Sequence, residues 1–285
     1  MPYPIIDALT GHWIQMDGRM VAVDAPEADA LRQPHGETMF YEVIRVVQGV
    51  PLFLEDHLER MRRSIAGAFP MPSNLPDESR ALIAKNAIPD VNLRLVVTAS
   101  RRVLHLTASY YPDAATLAQG VVTGILAWER EDPNTKIIRA DYKAAIAARF
   151  AQEGPFGPCF ELLLADRQGD LTEGSRSNLF FIRDRDVISA PDERILLGIT
   201  RRHVRDAITS AGLQLVTGLF SLDDVRQGRI RTAFLSSSPF DLLPIRAVED
   251  IALDSGRDPA FLALNQAYQQ IVAEYIASHR PRGEK

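Results

Sequence analysis

The sequence predicts an α/β (α+β) protein in two domains, residues 1–115 and 116–285. Three observations lead there. At 285 residues the chain is longer than one hydrophobic core usually supports. Strand-like and helix-like patterns alternate along its length. Between the halves, residues 111–120 hold Pro112, Asp113 and small residues, a composition that marks a junction.

The elements follow in order. Residues 39–47 read as a strand rich in aromatic and β-branched side chains, and Gln48-Gly49 supplies a turn into the returning stretch 50–54. Glu55 and Asp56 then open a helix whose stripe is Leu58, Met61 and Ile65, with Arg60 off that stripe. Stretches 93–98 and 103–109 form a hairpin around Arg101 and Arg102. Beyond the junction, 121–128 is a strand and 142–152 an alanine-rich helix. Strands follow at 161–165, 178–182 and 187–189, with turns at Gln168-Gly169 and 184–186. A helix over 200–211 presents Val204, Ile208 and Ala211 on one face, and Gly212 ends it. Residues 232–235 form a short strand before a serine run. Pro259 opens a final amphipathic helix carrying Phe261, Leu264, Tyr268, Ile271 and Tyr275.

Composition narrows the functional class. A formal net charge of -5 argues against nucleic acid as the main partner, because phosphate binding needs a basic surface. Cys159, the single cysteine, cannot form an intramolecular disulfide, which fits a reducing compartment. Residues 1–9 contain Pro2 and Pro4 and lack the basic-then-apolar pattern of a leader. No apolar run is long enough to cross a bilayer. The expectation is a soluble cytoplasmic protein with neither membrane nor nucleic-acid partner.

Common catalytic templates are absent. The six histidines are scattered and there is no HExxH or CxxC, so no metal site is expected. Neither GxGxxG after a strand, nor GxxxxGK[ST], nor a GxSxG elbow occurs. What stands out lies mostly in the second half. LTEGSRSNLFF (171–181) puts an acidic residue at a strand end before a glycine turn. LLGIT followed by RRHV (196–204) puts glycine and backbone amides at a helix start. FLSSSPFDLLPI (234–245) puts three hydroxyls in a tight loop. Lys136 lies upstream, just before the alanine-rich helix.

With these pieces in order, the chain resembles the class-IV aminotransferases, pyridoxal-phosphate enzymes of fold type IV. The family includes branched-chain and D-amino-acid aminotransferases, (R)-amine transaminases and aminodeoxychorismate lyase. The likeness runs from about Gly36 to Val248. TEGSRSNLF and GITR carry it, and HLERM (57–61) supports it. The resemblance implies a two-domain, D-amino-acid-aminotransferase-like fold with pyridoxal 5'-phosphate between the domains, working as a homodimer.

It also implies roles. Lys136 matches the lysine that holds the cofactor as a Schiff base and shuttles the α-proton, tasks that need a lowered pKa. Lys143 is the rival. Glu173 would keep the pyridine nitrogen protonated. Ile199 and Thr200 at a helix start, Ser238 and Arg60 would hold the phosphate. Tyr142 could donate to the cofactor's phenolic oxygen. Two departures are visible: Ile137, Ile138 and Arg139 replace a small polar pattern after the lysine, and residues 155–159 look inserted.

On specificity, MFYEVIRVVQG (39–49) is similar to D-amino-acid aminotransferases and places Tyr41 near the substrate. Pro239 follows Ser238 and has no N–H to offer a substrate carboxylate. Arg101 and Arg102 are the candidates to compensate. The expected reaction is amino transfer from an amino acid or amine to a 2-oxo acid. The alternatives are an eliminating enzyme like aminodeoxychorismate lyase and a binding protein that kept the fold without turnover.

Overall fold

The computed structural model describes residues 3 to 280; Met1 and Pro2, part of the stretch read above for a leader, lie outside the described residues, as do 281–285. Contacts divide the chain into two compact units. One comprises Met1–Tyr110, Thr135–Asp141 and Val272–Lys285, the other Tyr111–Asn134 and Tyr142–Ile271.

The first unit is built on an antiparallel sheet of six strands among the described residues. Their spatial order is Arg19–Ala22, Thr10–Met16, Arg102–Thr107, Val91–Val97, Phe40–Val47 and Val50–Pro51. In Phe40–Val47 burial alternates residue by residue, the period-two pattern of a strand with one face in the core. Gln48 and Gly49 turn the chain with φ of 53° and 78°. Two consecutive positive φ values suit the right-handed twist of the flanking strands.

The helix Leu54–Ile65 carries Glu55 and Asp56 in its first turn and Arg62 and Arg63 in its last, which complements its dipole. It packs with Leu75–Asn86 against Ile44, Leu93, Leu95, Leu104 and Leu106. That second helix had no counterpart in the sequence reading. Its fully buried Leu75 and Leu82 stand a heptad apart, a stripe too sparse to declare itself.

A short segment of the same unit lies along the start of Phe40–Val47. The amide of Tyr41 donates to the Lys136 carbonyl at 3.2 Å and that of Ile138 to the Met39 carbonyl at 3.0 Å. Phe40 and Ile137 form an antiparallel bridge. The Lys136 amide donates to the Ser64 hydroxyl at 3.3 Å. Backbone bonding therefore fixes the residue from both sides.

The second unit is built on a sheet of ten strands among the described residues. Val121–Ala127 runs parallel to both its neighbours, Glu161–Ala165 and Asp241–Val248. Further along come Thr232–Ser237, Asn178–Arg183 and Asp186–Ser189, paired antiparallel in that order. Phe180 and Phe234 stack across two of these strands with centroids 4.8 Å apart. The stretch read as a junction contains a helix, Ala114–Gln119, and Asp113 is its N-cap, accepting from the Thr116 amide. A capping aspartate and a turn aspartate look alike in sequence. Helix Ile199–Ser210 ends as expected, with Gly212 at φ 68°.

Candidate active site

Each unit holds its own cluster of the residues singled out above. In the first unit, Lys136 is half-buried and its Nζ lies 4.6 Å from the centroid of the Tyr41 ring. Arg94, on the neighbouring strand Val91–Val97, brings its guanidinium carbon within 5.6 Å of the same centroid. Lys143 stands on Ala140–Phe150 in the other unit.

Arg60 corrects the sequence reading. Its spacing sets it off the helix stripe, yet it is buried against the sheet, where its Nε donates to Glu42 Oε1 at 2.8 Å and its Nη2 to Oε2. His57 Nδ1 meets the same carboxylate at 2.7 Å. Glu42 is fully buried. Burial alone would raise its pKa, but the charge and hydrogen bonds of Arg60, helped by His57, outweigh that and hold it at about 2. His57 is itself pushed down, foremost by burial.

Arg101 and Arg102, expected to clamp a substrate carboxylate, have other partners. Arg102 donates to Glu78 from Nε and Nη2 at 2.8 to 3.2 Å. Arg101 reaches Asp17 at 3.5 Å and the Met16 sulfur at 3.3 Å. The guanidinium brought to Tyr41 is that of Arg94.

In the second unit, Glu173 is the penultimate residue of the strand Asp170–Gly174 and is 2% exposed. Its Oε2 accepts from the Leu196 amide at 3.1 Å, and Oε1 lies 2.7 Å from Arg130 Nε. Tyr142 donates to the Ser175 carbonyl at 2.9 Å, and Arg130 lies over its ring at 5.0 Å. The carboxylate is thus buried, oriented by an amide and paired with a cation.

The helix Ile199–Ser210 starts after Gly198, whose lack of a side chain leaves the first turn without a side-chain cap. First-turn amides have no partner within the helix, and the dipole there favours an anion. Thr200 is buried in that turn with its hydroxyl 3.5 Å from that of Ser238. Two hydroxyls converging on a helix start are donors suited to a phosphate group. Arg201 bonds Asp192 at 2.6 Å, a structural pair. Among the described residues no cluster of histidine, cysteine, aspartate or glutamate could hold a metal, and no helix is long and apolar enough to cross a membrane.

Sequence reasoning missed Glu42, Arg94 and Arg130. The first two had a usable signal. Glu42 falls in register with Phe40, Ile44 and Val46, so a strand with a buried face had to find it a cation. Arg94 interrupts an apolar run, Val91–Val97, that is buried throughout. Arg130 had none, because its meaning depends on the fold bringing residue 173 beside it.

Comparison with known proteins bears on the family and the fold. Residues 39–248 match the profile of the family described as amino-transferase class IV. The chain is 26% identical to a branched-chain-amino-acid aminotransferase of Pseudomonas aeruginosa, covering 81% of this chain and 82% of that one. It is 23% identical to the aminodeoxychorismate lyase of Bacillus subtilis, covering 88% and 92%. The structure superimposes on the Escherichia coli branched-chain amino acid aminotransferase with a TM-score of 0.75 at 21% identity, over 92% of this chain and 95% of that one.

Proposed function

The chain belongs to the class IV amino-transferase family, whose members are fold-type IV pyridoxal-phosphate enzymes, and from that premise we propose that it transfers an amino group from an amino acid or amine to a 2-oxo acid with Lys136 as the reactive amine. The observation that carries the reading is the fixing of Lys136 by hydrogen bonds of its backbone beside Tyr41.

Bound pyridoxal phosphate supplies an aldehyde to capture the substrate amine and a ring that accepts the electrons released at its α-carbon. The protein's residues divide the remaining work. Lys136 Nζ would hold the cofactor covalently and would take and return the α-proton. Glu173 keeps a proton on the ring nitrogen, with Leu196 and Arg130 fixing its orientation. The helix start at Ile199 and Thr200, with Ser238, would receive the phosphate, and the resemblance adds Arg60 as a further anchor. Tyr142 is the proposed donor to the phenolic oxygen, and Tyr41 a wall for the substrate.

Borohydride reduction of the protein as purified, followed by peptide mapping, tests the reading directly. The expected label is on Lys136; a label on Lys143, or none, would sink it. Loss of the yellow colour on adding an amino donor, and its return with a 2-oxo acid such as pyruvate, is expected of a transaminase. The likeness to aminodeoxychorismate lyase keeps a second reading in view. Pyruvate release from aminodeoxychorismate without any acceptor would favour it.

A further inference from the structure

Two cations of the first unit, Lys136 and Arg94, approach one aromatic ring, that of Tyr41, with Nζ at 4.6 Å and Cζ at 5.6 Å from its centroid. Arg94 is already engaged. Its Nη1 is ion-paired with Asp7 Oδ1, and the two side chains are 10% and 19% exposed. The Tyr3 hydroxyl donates to the other Asp7 oxygen at 2.8 Å, so the carboxylate is steadied on its far side. Directly across the strand pair from Arg94 is His105, fully buried. Burial first, and Arg94 second, push its pKa down to about 3, so it is neutral near pH 7 and leaves Arg94 and Asp7 as a balanced pair.

We infer that Asp7 is a specificity-determining residue, an internal carboxylate that occupies Arg94 and turns the Tyr41 side of the site away from substrates bearing a second carboxylate. The inference rests on the reading of Lys136 as the reactive amine. Asp7 holds the Nη1 end of the guanidinium and neutralises its charge, so a substrate carboxylate that reaches Arg94 meets a cation already compensated. With Asp7 in place the pair is neutral, and a dicarboxylate entering there meets a like charge with no free cation. Substrates with an uncharged group at that end, simple amines or amino acids with neutral side chains, meet no such barrier. Removing the Asp7 charge would leave Arg94 largely buried and uncompensated, a state that strongly favours capture of an external anion.

The experiment uses the holoenzyme and two unreactive probes, glutarate as the dicarboxylate and butyrate as the monocarboxylate, with binding read from the shift in cofactor absorbance. Asp7→Asn is expected to tighten glutarate at least about ten-fold relative to butyrate, and adding Arg94→Gln is expected to abolish the gain. Tyr3→Phe, which loosens Asp7 without removing it, should give a smaller gain of the same sign and decides the matter if Asp7→Asn folds poorly. Equal changes for the two probes, or none, would overturn the role of Asp7. Borohydride labelling of each variant is done first. A label away from Lys136 refutes the premise about the lysine, whereas a correct label with no glutarate gain refutes only Asp7.

Discussion

Replacing Glu42 with glutamine probes the first unit's polar core at its centre. The carboxylate is fully buried between Arg60 and His57 and held at about pKa 2, against an ordinary glutamate value of about 4.3. Part of the fold's stability therefore depends on its ionisation. Removing one partner of a buried pair costs about 3–5 kcal/mol, since Arg60 is then left without its counter-charge; glutamine keeps one acceptor, so the expected loss is near the lower figure. The sign with pH follows from the direction of the shift. A depressed carboxylate contributes fully above about pH 4.3 and loses its contribution as pH falls toward 2. Urea denaturation of the apoprotein, for wild type and Glu42→Gln between pH 7 and pH 3, measures both. The gap should be about 3 kcal/mol at pH 7 and narrow at pH 3. A gap under about 1 kcal/mol at pH 7, or one that widens in acid, would refute the account of Glu42 as the buried counter-charge of Arg60.

The remaining predictions concern the other groups. Thr200→Val and Ser238→Ala should each weaken pyridoxal phosphate binding about ten-fold, the worth of a hydrogen bond to a charged group, and leave pyridoxal, which lacks the phosphate, unaffected in a spectroscopic titration. Glu173→Gln should lower kcat by about a hundred-fold or more while the cofactor dissociation constant stays close to wild type. Arg101→Ala and Arg102→Ala decide the clamp expected from sequence. A clamp raises KM for amino-acid donors, whereas the pair with Glu78 predicts for Arg102→Ala an unchanged KM and a stability loss of about 1 kcal/mol in denaturation. Light scattering should return the mass of a homodimer, the assembly the resemblance implies.

Local pattern was enough for much of the architecture. The alternation in Phe40–Val47, the Gln48-Gly49 turn and the helix end at Gly212 are written in neighbouring residues, and such signals survive without knowledge of the fold. The ordered motifs around Glu173, Ile199 and Ser238 likewise pointed to one family, because a helix start, a strand end and a hydroxyl loop each have a short sequence form. The sparse stripe of Leu75–Asn86 and the helix Ala114–Gln119 escaped, since both depend on what packs against them.

The sequence by itself determined the family, the cofactor class and the candidate lysine. Only the tertiary structure decided who partners whom: that Arg60 faces inward onto Glu42, that Arg130 sits against Glu173, and that Arg94 rather than Arg101 or Arg102 shares Tyr41 with Lys136. The physical reason is separation along the chain. Arg94 meets Asp7 across 87 positions and the Tyr41 amide meets the Lys136 carbonyl from a distant segment. Periodicity describes a residue's own helix or strand, and charge pairing between distant segments is fixed only when the sheet sets their register.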